Sequence, residues 1–246
     1  MWTMLLILVA VFATSVLSGV LGMAGGIILM AILVALYSVS AAMIVHGIVQ
    51  GTANGSRAFF LRQHIVWRVM PQYLAGAAIA LAGFIAAGLL PEPGWVLIVI
   101  GSFPFLARVA PKLRALDITR PFTAVVCGGV VTAAQLFAGA SGPLLDVFYL
   151  RAPLTRHQIV ASKALTQTLG HALKLVYYGA IIGAQESLPP WFLVAAVAIA
   201  VLGTRLGTRL IDRFDDDGFR RTSGYVIMSI GAYCIVRGTL AVTTGR

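Results

Sequence analysis

Apolar runs separated by short polar breaks occupy nearly the whole chain, at 3–21, 26–37, 40–61, 69–90, 94–110, 120–138, 143–150, 157–182, 191–211 and 222–242. A helix crossing a bilayer needs about 20 mainly apolar residues, and most of these runs approach that length. Backbone groups in lipid must be paired within their own segment, which selects helix over open strand. Two runs are too short to span, 26–37 and 143–150. Each follows a glycine-rich break, Gly22-Met23-Ala24-Gly25-Gly26 and Gly139-Ala140-Ser141-Gly142-Pro143. The pattern predicts an all-α polytopic membrane protein.

The two breaks are one feature met twice. An offset of 117 positions places Gly22 on Gly139 and Gly25 on Gly142. The same offset, without a gap, places His46 on Lys163, Gln50 on Gln167, Asn54 on His171 and Arg57 on Lys174. Agreement of glycines and polar positions in one register, within otherwise apolar sequence, is the mark of an internal repeat. The chain reads as a single membrane domain over 1–246, with one repeat at about 1–112 and a second at about 118–246.

Loop charge sets the expected orientation, because Lys and Arg concentrate on the cytoplasmic side. Arg57, Arg62 and Arg68 place the 57–68 connection inside, as do Lys112 and Arg114 for 108–120, and the basic ends of 205–221. The 91–94 turn, with Glu92, and the 183–190 loop, with Glu186, fall outside. Segment 120–150 then starts inside and also ends inside, since Arg151 and Arg156 follow it. It must enter and return as a broken-helix hairpin, and the repeat makes 3–37 its counterpart from the other side. Each half becomes a hairpin plus three spanning helices, an odd number of crossings, so the two repeats are inverted.

Composition narrows the function. Only 11% of the 246 residues are charged and the mean hydropathy is +0.94, against about a quarter charged in a soluble domain. The net charge of +10 would suggest nucleic acid in a soluble protein; here basic inner loops account for it, and no nucleic-acid partner is expected. Cys127 and Cys234 sit in apolar runs without metal-ligand spacing. No metal or cofactor is expected. Residues 1–17 have no Lys or Arg ahead of the apolar run and read as a retained membrane segment rather than a signal peptide.

The chemistry lies in the repeated features. A broken helix exposes unpaired N–H groups at the start of its second arm, and the helix dipole adds partial positive charge there. Two such ends facing one point, beginning at Gly26 and Pro143, would hold an anion without formal charge. Gly22, Ala24, Gly25, Gly26 and Gly139, Ala140, Ser141, Gly142, Pro143 are therefore candidate binding positions. His46, Gln50, Asn54 and Arg57 recur at helical spacing, so they share one face. Lys163, Gln167, His171 and Lys174 repeat that face. Polar and ionisable groups within spanning helices normally meet an aqueous cavity or a partner. His46, Gln50, Asn54, Lys163, Gln167 and His171 complete the candidate substrate-binding set, while Arg57 is expected to snorkel to the inner surface. Asp146 is expected to pair with Lys163 or Arg151. Asp215-Asp216-Asp217 reads as a solvated turn.

The run Ser18-Gly19-Val20-Leu21-Gly22-Met23-Ala24-Gly25-Gly26, its echo Phe137-Ala138-Gly139-Ala140-Ser141-Gly142-Pro143, and the repeated helical layout resemble the TauE/SafE sulfite-exporter family, also called the toluene sulfonate uptake permeases. The resemblance spans the whole chain. It implies a secondary transporter of the bacterial inner membrane. That transporter would move sulfite, sulfonates or a related small sulfur-containing anion by alternating access, coupled to a gradient of protons or sodium. An uncoupled anion channel or facilitator with the same fold is one alternative. The other is an intramembrane serine protease, with Ser141 of Gly139-Ala140-Ser141-Gly142 as nucleophile and His171 as base.

Overall fold

Helix boundaries follow the punctuation in the sequence. The computed structural model describes residues 2–21, 24–109, 116–149, 152–183, 188–210 and 216–244. Gly22, Met23, Lys112, Arg114, Arg151, Glu186 and Asp215 lie outside the described residues, as do the side chains of Ala24 and Arg108. The first half contains α1 (Trp2–Leu21), α2 (Ala24–Leu36), α3 (Val39–Phe60), α4 (Met70–Ala87) and α5 (Pro93–Val109). The second contains α6 (Pro121–Ala138), α7 (Gly142–Tyr149), α8 (Arg156–Leu175), α9 (Pro190–Leu210) and α10 (Asp216–Thr244). No strand occurs among the described residues.

Local chemistry explains these ends. The Ser38 side chain accepts from the Ala41 N–H, and Thr155 and Gln158 form a reciprocal capping box ahead of α8. Proline opens α4 and α6, where no N–H is needed. α2 starts at Ala24 and α7 at Gly142, slightly ahead of the expected Gly26 and Pro143, because the glycines themselves enter the first turn. Asp216 and Asp217 open α10 rather than lying in a loop. The run expected as one helix to 182 changes pitch after Leu175 into a π-helical turn, Val176–Ile182.

Polarity is distributed as in a protein solvated by lipid. Large apolar side chains such as Phe122, Ile79 and Val194 are exposed, whereas Ser162, Thr166 and Lys174 are fully buried. Among the described residues, four helical stretches are long and apolar enough to cross a membrane: Trp67–Ala87, Pro121–Ala138, Pro190–Gly207 and Ile227–Thr244. The chain is an all-α polytopic membrane protein. α3 and α8 carry the polar stripes and occupy the centre, packed on each other. Around them α1 packs on α9, α4 on α6, and α5 on α10.

Both short helices return along the helix before them. A Cβ at Gly25 would fall on the Thr14 carbonyl and the Ser18 hydroxyl, so the start of α2 lies against α1 at a separation that admits only glycine. In the second half the Ile118 N–H donates to the Phe148 carbonyl at 3.0 Å, which places the end of α7 beside the approach to α6. α3 and α8 run antiparallel: Gly47 faces Leu175, Gly51 faces His171 and Gly55 faces Thr168. α5 and α10 are antiparallel as well, with Gly94 against Gly238 and Gly101 against Gly231. The small residues allow close helix approach.

Candidate functional site

The two glycine breaks and the two polar stripes meet at one small cavity. Gly26 borders it from the first break, and Ala140, Ser141 and Gly142 border it from the second. His46, Gln50, Asn54 and Arg57 line it from α3; Gln167 and His171 line it from α8. Ile27 and Gln135 complete the wall. The volume is about 30 Å³, room for about two water molecules.

Gly139 ends α6 in the left-handed conformation, at φ 78°. Any larger residue there would be strained and would collide with Met30 on α2. This turn releases the chain into α7 and leaves the Gly139 carbonyl free to be met by a side chain. The fully buried Lys174 Nζ donates to that carbonyl at 2.8 Å and lies 2.9 Å from His46 Nδ1. His46 Nε2 lies 2.9 Å from the Gly26 carbonyl. An acceptor opposite Nε2 requires the proton there, so Nδ1 receives a hydrogen bond from Lys174. One lysine of the second half thereby ties a histidine of the first half to the turn of the second, and His46 in turn holds the first-turn backbone of α2.

A second network lies alongside. The Ser141 hydroxyl donates to Gln135 Oε1 at 2.6 Å. The amide is then oriented so that Nε2 donates to His171 Nδ1 at 2.8 Å, leaving Nε2 of the neutral imidazole as its donor. The His46 and His171 rings are 5.5 Å apart. The amide of Gln135 stands between Ser141 and His171, so the serine proton is directed to an amide oxygen and not to a base. No hydrogen bond between Ser141 and His171 occurs among the described contacts, whereas a serine nucleophile needs its base within reach.

The sequence-predicted positions divide as follows. Gly26, His46, Gln50, Asn54, Ala140, Ser141, Gly142, Gln167 and His171 border the cavity. Gly25 serves the packing of α2 on α1, Gly139 provides the turn and a carbonyl, and Pro143 occupies the first turn of α7. Gly22 is outside the described residues. Lys163 does not line the cavity; it is ion-paired with Asp146. Arg57, expected to snorkel away, borders the cavity instead. Three contributors were not singled out as binding positions. Lys174 was visible in the repeated stripe, Gln135 was the polar residue one turn before Gly139 in an apolar run, and Ile27 carried no signal.

The wall is rich in donors. The first-turn N–H groups of α2 and α7 have no intrahelical partner, and each helix start carries roughly half a positive charge. The Arg57 guanidinium, the Gln50 and Gln167 amides and His171 Nε2 add side-chain donors. No carboxylate lines the cavity. This composition favours a small oxyanion and repels a cation.

Residues 6–234 match the family described as Sulfite exporter TauE/SafE. A protein of Sinorhizobium fredii, named "Probable membrane transporter protein y4hK", is 30% identical over 173 residues, which is 65% of this chain and 69% of that protein. No solved structure matches the chain at a significant level. With its match covering nearly all of the apolar helices and both glycine breaks, the chain belongs to the TauE/SafE family of membrane transporters.

Proposed function

We propose that this protein is a secondary transporter carrying sulfite, a sulfonate or a related small sulfur-containing anion across a bacterial inner membrane by alternating access. The observation that carries the reading is the cavity bordered by Gly26 of α2 and Gly142 of α7, lined by Arg57 and amide donors, with no carboxylate among the described residues that line it. Family membership supports the transport role. The small volume of the cavity favours a guest of few heavy atoms, sulfite before any sulfonate bearing an aromatic ring, with this state closed around the site.

The two halves are inverted copies in this reading. The antiparallel packing of α3 on α8 and of α5 on α10 supports it, because equivalent helices of inverted repeats meet antiparallel. Motion of one set of elements against the other would open the cavity alternately to each side, driven by a proton or sodium gradient. The direct test is sulfite flux into proteoliposomes of the purified protein. Gln50→Ala combined with Gln167→Ala is expected to lower the flux roughly tenfold or more, about the effect of losing two hydrogen bonds to a charged ligand. Flux at the wild-type level in that variant removes the amides from the site.

A further inference from the structure

A second, much larger cavity adjoins the first. It holds about 670 Å³ between α3, α8 and α9, and three arginines line it: Arg57, Arg205 and Arg209. Arg57 borders both cavities. Arg205 and Arg209 stand on the exposed rim, one helical turn apart on α9, while Arg57 is half-buried. Among the described residues no carboxylate lines this cavity and none is ion-paired with any of the three arginines. Asp146 of α7 is committed to Lys163 of α8.

Three guanidinium groups that share one recess of a membrane domain favour an anion between them. Guanidinium also grips the planar edge of an oxyanion through two parallel hydrogen bonds. A recess lined by one sign of charge concentrates counter-ions at its mouth. The volumes differ in kind: the larger cavity admits an anion with its hydration shell, and the smaller admits only a stripped one.

We infer that the larger cavity is a second oxyanion site, a vestibule where Arg205 and Arg209 collect a hydrated anion, and that Arg57 passes it to the central cavity. This inference rests on the transport reading for its direction but not for its chemistry. The basic loops place the vestibule on the inner face, so it serves the entry or exit of the anion on that side. The phosphate of an anionic lipid shares this chemistry and is the competing occupant, since Phe60, Val160 and Val201 also line the recess.

The experiment compares the wild type with Arg205→Gln combined with Arg209→Gln in proteoliposomes, with sulfite supplied from each face in turn. The double variant is expected to raise KM about tenfold from the arginine face only, with maximal flux retained, and to flatten the dependence of kcat/KM on salt. Arg57→Gln is expected to lower maximal flux from both faces, with Arg57→Lys restoring part of it. Unchanged KM and salt dependence in the double variant overturn the inference. So does a KM effect present in vesicles containing phosphatidylglycerol and absent in pure phosphatidylcholine, which assigns the arginines to lipid. Labelling of the detergent-purified protein with phenylglyoxal gives a readout independent of flux: sulfite is expected to slow modification of Arg205 and Arg209, and absence of protection overturns the site. Wild-type vesicles that carry no sulfite would sink the transport reading alone, with the labelling still deciding the vestibule.

Discussion

Lys174 has no accessible surface, and its two partners are an imidazole and a carbonyl rather than a carboxylate. Lys174→Met keeps the length of the side chain and removes both donors. His46 Nδ1 and the Gly139 carbonyl are then left buried and unpaired, at about 1–3 kcal/mol each. The expected outcome is a lower melting temperature in detergent together with reduced flux; an unchanged melting temperature would show that water replaces the ammonium. The stripe containing Lys174 was legible because polar residues at helical spacing in an apolar run need a reason. What could not be read was the direction of each side chain. Arg57 could have turned wholly to the surface, but it lines the central cavity as well as the larger recess beside it. Gln135 escaped notice because a lone amide has no repeated partner; its offset equivalent is Ser18, a different residue type.

At the scale of elements, hydropathy fixed where helices lie, and glycine fixed how closely they approach. A Cβ at Gly76 would fall on the Val125 carbonyl of α6, and one at Gly128 on the Tyr73 carbonyl of α4. Gly76→Leu is expected to force α4 and α6 apart and to lower the yield of folded, monodisperse protein in detergent, whereas Gly83→Leu, at a position with open space around it, leaves the yield unchanged. Equal yields would mean that the helices can slide to accept the side chain. The π-helical turn after Leu175 was not legible from the sequence. It depends on tertiary contacts: the Tyr177 hydroxyl donates to the Phe84 and Leu89 carbonyls, and the Tyr178 hydroxyl to that of Leu136. The starts of α2 and α7 shifted for a related reason, since glycine permits either a turn or a first helical residue and only packing decides.

For the whole molecule, the hydropathy pattern carried the all-α membrane architecture, and the antiparallel packing of α3 on α8 is what an inverted repeat would require. Leu36 and Pro153 occupy corresponding positions at the 117-residue offset, and both are exposed. Inversion predicts that an impermeant maleimide modifies Leu36→Cys only from outside and Pro153→Cys only from inside the cell. The resident Cys127 and Cys234 are buried and give little background. Labelling of both from one side would make the halves parallel. The tie made by Lys174 also bears on how such a machine can move. A wedge driven between α3 and α8 would have to sever the fully buried lysine from either His46 or Gly139. In the transport reading proposed above, the central pair would stay together as a fixed mast while the surrounding α1–α9 and α4–α6 pairs swing about it to open each side.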